Sequence, residues 1–202
     1  QRWDSALGQV DEFPASPNLQ TANDIITHLL TEFSIDDKRI YVCGKSIGGL
    51  GVYGLIARYP DRYAAAIPAA GRYVYKSIND VANSALWIFH NRDDTTVPVA
   101  QSRHIVQELE NAGNAFVYTH CNVKTENCDT LSPDDIEAAI NNGTRFLFSE
   151  FDDVGHQLEP NVVATHGLYQ WTMKQKKDVS IVRSNKQPTC FSLMHNYPNP
   201  FN

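Results

Sequence analysis

No apolar run in the 202-residue chain reaches the roughly eighteen residues that a membrane-spanning helix needs. Positive charge is also in short supply: 17 Lys and Arg stand against 23 Asp and Glu, for a net charge of −6. With no basic stripe to offset phosphate charge, a nucleic-acid partner is not expected. The four cysteines include no C-x-x-C pair, and no cluster of His, Cys and Asp has ligand spacing. Neither a metal nor a cofactor is therefore expected. The opening "QRWDSALGQVDEF" is too polar for a signal peptide. Lacking an initial Met, the chain is expected to be a processed or excised piece. There is no internal repeat. What remains, 42% hydrophobic and 20% charged residues, suits one domain with a sizeable core, or one domain and a tail.

Helix and strand signals alternate along that domain. Ala22, Ile25, Ile26, Leu29, Leu30 and Phe33 share one helical face, with Thr21 or Asn18 as the cap. "RIYVC" (Arg39–Cys43) predicts a short buried strand with Cys43 as a buried thiol. Gly48 to Tyr59 predicts a helix that stops at Pro60. "YAAAIPAAG" (Tyr63–Gly71) and "ALWIFH" (Ala85–His90) predict further strands. Ser102, Ile105, Val106, Leu109 and Ala112 form another helical face, closed by Gly113. "AFVYTH" and "RFLFSEF" predict the last strands, and Val163 to Lys176 one last helix. Such alternation implies an α/β fold, a mostly parallel sheet with helices on both faces.

Two stretches break the rhythm. An insert, residues 121–144, carries "SPDDIEAAINNG", where Ser132 as cap, Pro133 in the first turn and the acids Asp134 and Asp135 predict a short helix. Leu131, Ile136 and Ile140 are too few for core, and are expected to form a stripe flanking a ligand cleft. Cys121 and Cys128 bracket a polar loop that a disulfide would close in an extracellular setting. Past residue 178, a polar tail (179–202) follows the α/β domain (1–178).

Chemistry is signalled at "GKSIGG" (Gly44–Gly49), where a strand becomes a helix. G-x-S-x-G acquires meaning in that context, because the sharp turn holds Ser46 out on a strained corner. Gly44 and Gly48 remove the side chains that would collide there. The helix points its positive end at the site, and the N–H of Ile47 is placed to receive an oxyanion. A serine hydroxyl needs a base, and the base an orienting acid. After the strand "LWIFH" come Asp93 and Asp94; after "RFLFSEF" comes "DDVGH" with His156. Serine, acid and histidine thus follow in the α/β-hydrolase order, each at a strand end.

From Asp37 to Gly71 the chain resembles the esterase branch of the α/β-hydrolase superfamily, which includes feruloyl esterases, acetyl xylan esterases and polyhydroxybutyrate depolymerases. Its "DxxRIYxxGxSxGGxGxxxLxxxYPDxFAAAxPxxG" pattern is followed almost throughout. His90, Asp94, Val97, Pro98 and Ser102 match "HGxxDxxVPxxxS", with Asn91 in place of glycine, and Gly155–His156 match the late "GH". The resemblance spans roughly Asp24 to Lys176. It implies Asp94, rather than Asp93, as the acid, and a structural His90. It also implies a serine esterase acting on short-chain or aryl, feruloyl-type esters.

The substrate is then a small-molecule or polysaccharide-linked ester, and the protein is expected to act as a monomer. The front departs from the pattern: the usual early strands and the "HG" element that supplies a second oxyanion donor do not precede Ser46. That departure motivates a non-catalytic scaffold descended from an esterase as the alternative, with a prolyl-oligopeptidase-like peptidase as another. The tail's "FSLMHNYPNPFN" resembles the start of a bacterial carboxy-terminal sorting signal, which implies secretion. Among the remaining residues, Trp3 is either a substrate-side aromatic or core, and Lys45 points to solvent or to a ligand. His28, His104 and His166 are expected on helices, and His120 in a solvated loop. Asp152 and Asp153 are expected to cap a turn.

Overall fold

The structure, a computed structural model, describes residues 15–73, 78–122, 127–128 and 131–177. Trp3 and the tail 179–202 lie outside the described residues. In chain order the elements are α1 (Pro17–Glu32), β1 (Tyr41–Lys45), α2 (Ile47–Arg58), β2 (Ala65–Ala69), α3 (Ile78–Ala82), β3 (Ala85–Asn91) and α4 (Ala100–Asn111). They continue with β4 (Val117–Asn122), β5 (Asn127–Cys128), α5 (Pro133–Asn141), β6 (Phe146–Asp152), α6 (Glu159–Ala164) and α7 (Leu168–Lys174).

The strands form one sheet in the order β1-β2-β3-β6-β4-β5. All neighbours run parallel except the short β5, which is antiparallel to β4. A parallel sheet collects the carboxyl ends of its strands at one edge, so loops far apart in sequence meet there. The β3–β6 pairing matters most: β6 enters between β3 and β4, which sets the loops after β3 and β6 side by side.

Alternation along the strands builds two cores. Leu86, Ile88, Phe146 and Phe148 face one way, against Leu19, Val52, Leu55, Ile105 and Leu109 of α1, α2 and α4. Trp87, Phe89, Leu147 and Phe151 face the other, against Ile136, Ile140, Leu158 and Trp171. All of β3 is buried. Buried polar side chains at the middle of the sheet pair with each other: Trp87 Nε1 donates to Ser149 Oγ at 2.8 Å, and Ser149 Oγ is 2.6 Å from Thr119 Oγ1.

Several expectations change at this level. Helix α1 is capped by Ser16, whose hydroxyl accepts from Leu19 N at 3.3 Å, with Pro17 at the first helical position; Asn18 and Thr21 are inside the helix. Its predicted apolar face is only partly covered, leaving Ile25 and Phe33 exposed at 54% and 57%. Cys43 is exposed, not buried, because β1 is the edge strand and no residue of it is fully buried.

The last helix is two, α6 and α7, divided at Gly167, whose φ of 78° a continuous helix cannot accommodate. His166 therefore falls between helices, while His28 and His104 are exposed on theirs. The insert also differs. Helix α5 has the expected capping box between Ser132 and Asp135. Its Ile136 and Ile140, however, are buried in the second core, with Leu131 packed against them. Two well-spaced isoleucines suffice when Trp171 and Leu168 lie opposite, so that stripe is core rather than cleft wall. Cys121 is disulfide-bonded, and the residue facing it in the antiparallel register is Cys128.

Candidate active site

Ser46 lies between β1 and α2 with φ 56° and ψ −119°. A non-glycine residue in that region is strained, and surrounding structure must hold it there. Ser46 N donates to Ala69 O at 2.8 Å, tying the turn to the end of β2. The close approach falls on two glycines. A Cβ at Gly44 would lie 2.5 Å from Gly48 O, and one at Gly49 would lie 2.8 Å from Gly71 Cα. The same test at Gly48 meets nothing within 4 Å. Gly44 is thus sterically required, as expected, but Gly48 contributes only its backbone. The required partners are Gly49 and Gly71, visible in the sequence only as the third glycine of "GKSIGG" and the end of "PAAG".

Three side chains from three strand ends converge. His156 Nε2 lies 3.0 Å from Ser46 Oγ, and His156 Nδ1 lies 2.7 Å from Asp94 Oδ2. Asp94 is fully buried at its side chain, whereas His156 keeps 20% exposure. An ionised carboxylate only accepts, so Nδ1–H donates to Asp94. That leaves the Nε2 lone pair to accept from the Ser46 hydroxyl.

The acid is held by its own loop: Thr96 N and Val97 N donate to Asp94 Oδ1 at 2.8 and 2.9 Å. Burial alone would raise its pKa. The hydrogen bonds from His156, Val97 N and Thr96 N outweigh burial and hold the carboxyl below the ordinary range.

His90 sits beneath this group. Wholly buried, it places Nε2 2.8 Å from Val97 O and Nδ1 2.7 Å from Ser102 Oγ. Nε2–H therefore donates to the carbonyl, and Nδ1 accepts from Ser102. Nε2 also lies 3.6 Å from Asp94 Oδ2. Burial depresses the His90 pKa despite the neighbouring acceptors, so the ring is neutral, as suits a loop brace.

Ile47 opens α2, so its N–H belongs to the first-turn donors that lack an intrahelical partner. Its side chain is exposed at 47%. Lys45 is partly exposed, and its Nζ pairs with Glu159 Oε1 at 2.6 Å rather than with any of the three converging side chains. His120 is buried rather than solvated, with Nε2 2.7 Å from Asp152 Oδ2. Beside it, Arg92 and Arg103 both bind Glu150, at 2.6 Å each. Asp93, set aside at the sequence level, binds the amides of Val154 and Gly155. No cluster of three or more potential metal ligands occurs among the described residues. No described helix is long and apolar enough to cross a membrane.

No family model and no curated protein matches the chain. Similarity to solved structures is extensive in shape. A thermostable esterase superimposes with a TM-score of 0.62 and 24% identity over 87% of this chain, which spans 41% of that protein's length. Arabidopsis thaliana SOBER1 gives 0.51 at 13% identity, covering 82% of this chain and 68% of that one. The Bacillus cereus carboxylesterase gives 0.50 at 15% identity, covering 77% and 59%. Likeness at such identity speaks for architecture alone. The chain has the α/β-hydrolase fold.

Proposed function

We propose that this chain is a serine carboxylic ester hydrolase in which Ser46 is the nucleophile, His156 the general base and acid, and Asp94 its orienting acid. The observation that carries the proposal is the continuous relay of 3.0 and 2.7 Å from Ser46 Oγ through His156 to Asp94. Its origin on a positive-φ serine adds support, because nothing in folding alone calls for strain at that residue.

In this reading Ser46 Oγ bonds to the ester carbonyl carbon while its proton passes to His156 Nε2. Asp94 stabilises the imidazolium without taking the proton. The carbonyl oxygen becomes an oxyanion near the Ile47 N–H, at the positive end of α2. Collapse breaks the bond to the alcohol, which leaves with the proton from His156. Water then adds to the acyl-enzyme by the same route, releasing the acid and restoring Ser46. Aryl or short-chain esters fit best: the exposed Ile47 places an apolar side chain next in sequence to the nucleophile, and an ester needs less leaving-group help than an amide.

The proposal includes an extracellular place of work, supported by the bonded state of Cys121, since disulfides persist in oxidising compartments. It also takes the protein to act as a monomer on a small or polysaccharide-linked ester. Hydrolysis of a short p-nitrophenyl ester, together with fluorophosphonate labelling, tests the core of it. Turnover and labelling are expected in the native protein and not in Ser46→Ala. A folded native protein that takes no label is the scaffold outcome, and turnover of amides above esters is the peptidase outcome.

A further inference from the structure

Asn91 and Asp93 come just before the buried acid of the relay, Asp94, yet the proposed chemistry uses neither. Asp93 is solvent-exposed, and both of its carboxylate oxygens face the neighbouring loop. Gly155 N donates to Asp93 Oδ2 at 2.9 Å, and Val154 N lies 3.4 Å from Asp93 Oδ1. Asn91 is fully buried at the end of β3, and its Nδ2 donates to Gly155 O. The two side chains therefore hold the N–H and the C=O of one glycine, the residue before His156.

That glycine needs holding. Gly155 has a φ of 58° and Asp153 one of 65°, so the loop makes two left-handed turns within three residues. A Cβ on Gly155 would meet nothing within 4 Å, so at Gly155 itself hydrogen bonds rather than side-chain packing hold the backbone, while Val154 and Leu158 on either side pack into the second core. With His156 Nδ1–Asp94 Oδ2 at 2.7 Å, the loop after β3 grips the loop after β6 at successive residues. The β3–β6 ladder closes the ring beneath, where Arg92 N donates to Phe151 O at 2.8 Å.

We infer that Asp93 and Asn91 are positioning residues for the reaction proposed above, fixing the His156 backbone so that its ring stays aligned between Asp94 and Ser46. The inference rests on that reading. A misplacement of about 1 Å at a reacting group costs on the order of 10²-fold in rate. Asp93→Ala, at an exposed site, is accordingly expected to lower kcat about ten- to a hundredfold with KM and Tm near native. Asp93→Asn keeps one acceptor oxygen for Gly155 N–H and is expected to recover most of the rate.

The far-downfield proton resonance of His156 Nδ1–H gives a second reading. It should be sharp in the native protein and Asp93→Asn, and broadened in Asp93→Ala. Amide exchange gives a third that needs no variant: the Gly155 amide should exchange slowly although it lies in a surface loop. Native kcat in folded Asp93→Ala, a loss carried by KM, or a Gly155 amide that exchanges like an open loop would each overturn the inference. Activity surviving in Ser46→Ala would instead sink the underlying reading, so the two failures are told apart.

Discussion

The proposed nucleophile and its proposed partners are supported in opposite ways. Asp94 and His156 follow β3 and β6, the central strands, where every residue of β3 is buried and the two loops are cross-linked by side-chain hydrogen bonds. Ser46 follows β1, the edge strand, with Cys43 exposed at its centre and Ile47 exposed just beyond. On that side the holding force is backbone contact: Gly44 against Gly48, Gly49 against Gly71, and the Ser46 N–Ala69 O bond. The proposed base and acid are thus placed by polar bonds on the buried central strands, and the serine mainly by backbone contact on the edge strand. The first arrangement is vulnerable to charge and pH. The second is vulnerable to a single methyl group.

The largest effect should come from Ser46 itself. Ser46→Ala is expected to lower kcat for a p-nitrophenyl ester by about 10⁴–10⁶-fold. Ser46→Gly should be equally inactive yet more stable by about 1 kcal/mol, because glycine occupies positive φ without strain. A urea titration showing Ser46→Gly no more stable than Ser46→Ala would mean that the edge side stores no strain.

Next come the two glycines of the elbow. Gly44→Ala drives a methyl to 2.5 Å from a backbone oxygen. It is expected to destabilise by about 1–3 kcal/mol and to lose most activity as Ser46 moves. Gly48→Ala meets open space and should be tolerated within about 1 kcal/mol, with kcat near native. Equal damage from both would show that the G-x-S-x-G pattern, rather than its particular contacts, describes the constraint.

How much of this was legible beforehand follows the same divide. The strand ends, their serine–acid–histidine order and the candidates Ser46, Asp93 or Asp94, and His156 can be read locally, because apolar runs and turn residues lie within a few positions of each other; the choice of Asp94 came from the family resemblance alone. The β6 crossover into the gap between β3 and β4 is a long-range event that no window of sequence contains. Its products, the Asp93–Gly155 and Asn91–Gly155 bonds, were invisible for that reason. Gly49 and Gly71 are 22 residues apart in sequence, since 71 − 49 = 22, and only the packing of α2 on β2 joins them. The burial of Ile136 and Ile140 was missed likewise, since it depends on Trp171 arriving from α7. Cys43 misled because an apolar strand looks the same at an edge as at a centre.

A pH titration should fall mainly on the β3–β6 side. His90 has a folded pKa depressed by burial, so below its unfolded value of about 6.5 the unfolded chain binds the proton first. Stability then rises with pH across that window and is lost as pH falls. Asp94 and Glu150 are buried carboxyls whose pKa values burial would raise, but hydrogen bonds (with Arg103 and Arg92 at Glu150) depress them. Their contribution is present above the unfolded carboxyl range and is lost in a second stage, below about pH 4. Unfolding free energies from urea titrations should therefore decline from pH 7.5 to 5.5, with His90 contributing at most about 1.4 kcal/mol per pH unit, and His90→Gln should flatten that limb. An unchanged slope in His90→Gln would remove His90 as its source.

The smallest effect is expected from Lys45→Ala, which tests whether the elbow side has working side-chain polar support beyond the Ser46 N–Ala69 O backbone bond. Lys45 Nζ and Glu159 Oε1 are 2.6 Å apart, but their side chains are 22% and 52% exposed. Solvent-screened pairs of this kind contribute little, since the Coulomb gain is offset by ordering two long side chains. The bridge nonetheless links the residue before Ser46 to the helix that follows the His156 loop, and so joins the two halves alongside the Ser46–His156 hydrogen bond. If backbone contact alone positions the serine, Lys45→Ala leaves Tm and kcat within experimental scatter, and KM unchanged for small and bulky esters alike. A fall in kcat that high salt reproduces in the native protein would show the bridge to be a working part of the alignment. A rise in KM confined to charged or bulky esters would instead return Lys45 to the substrate side, where the sequence reading had left room for it.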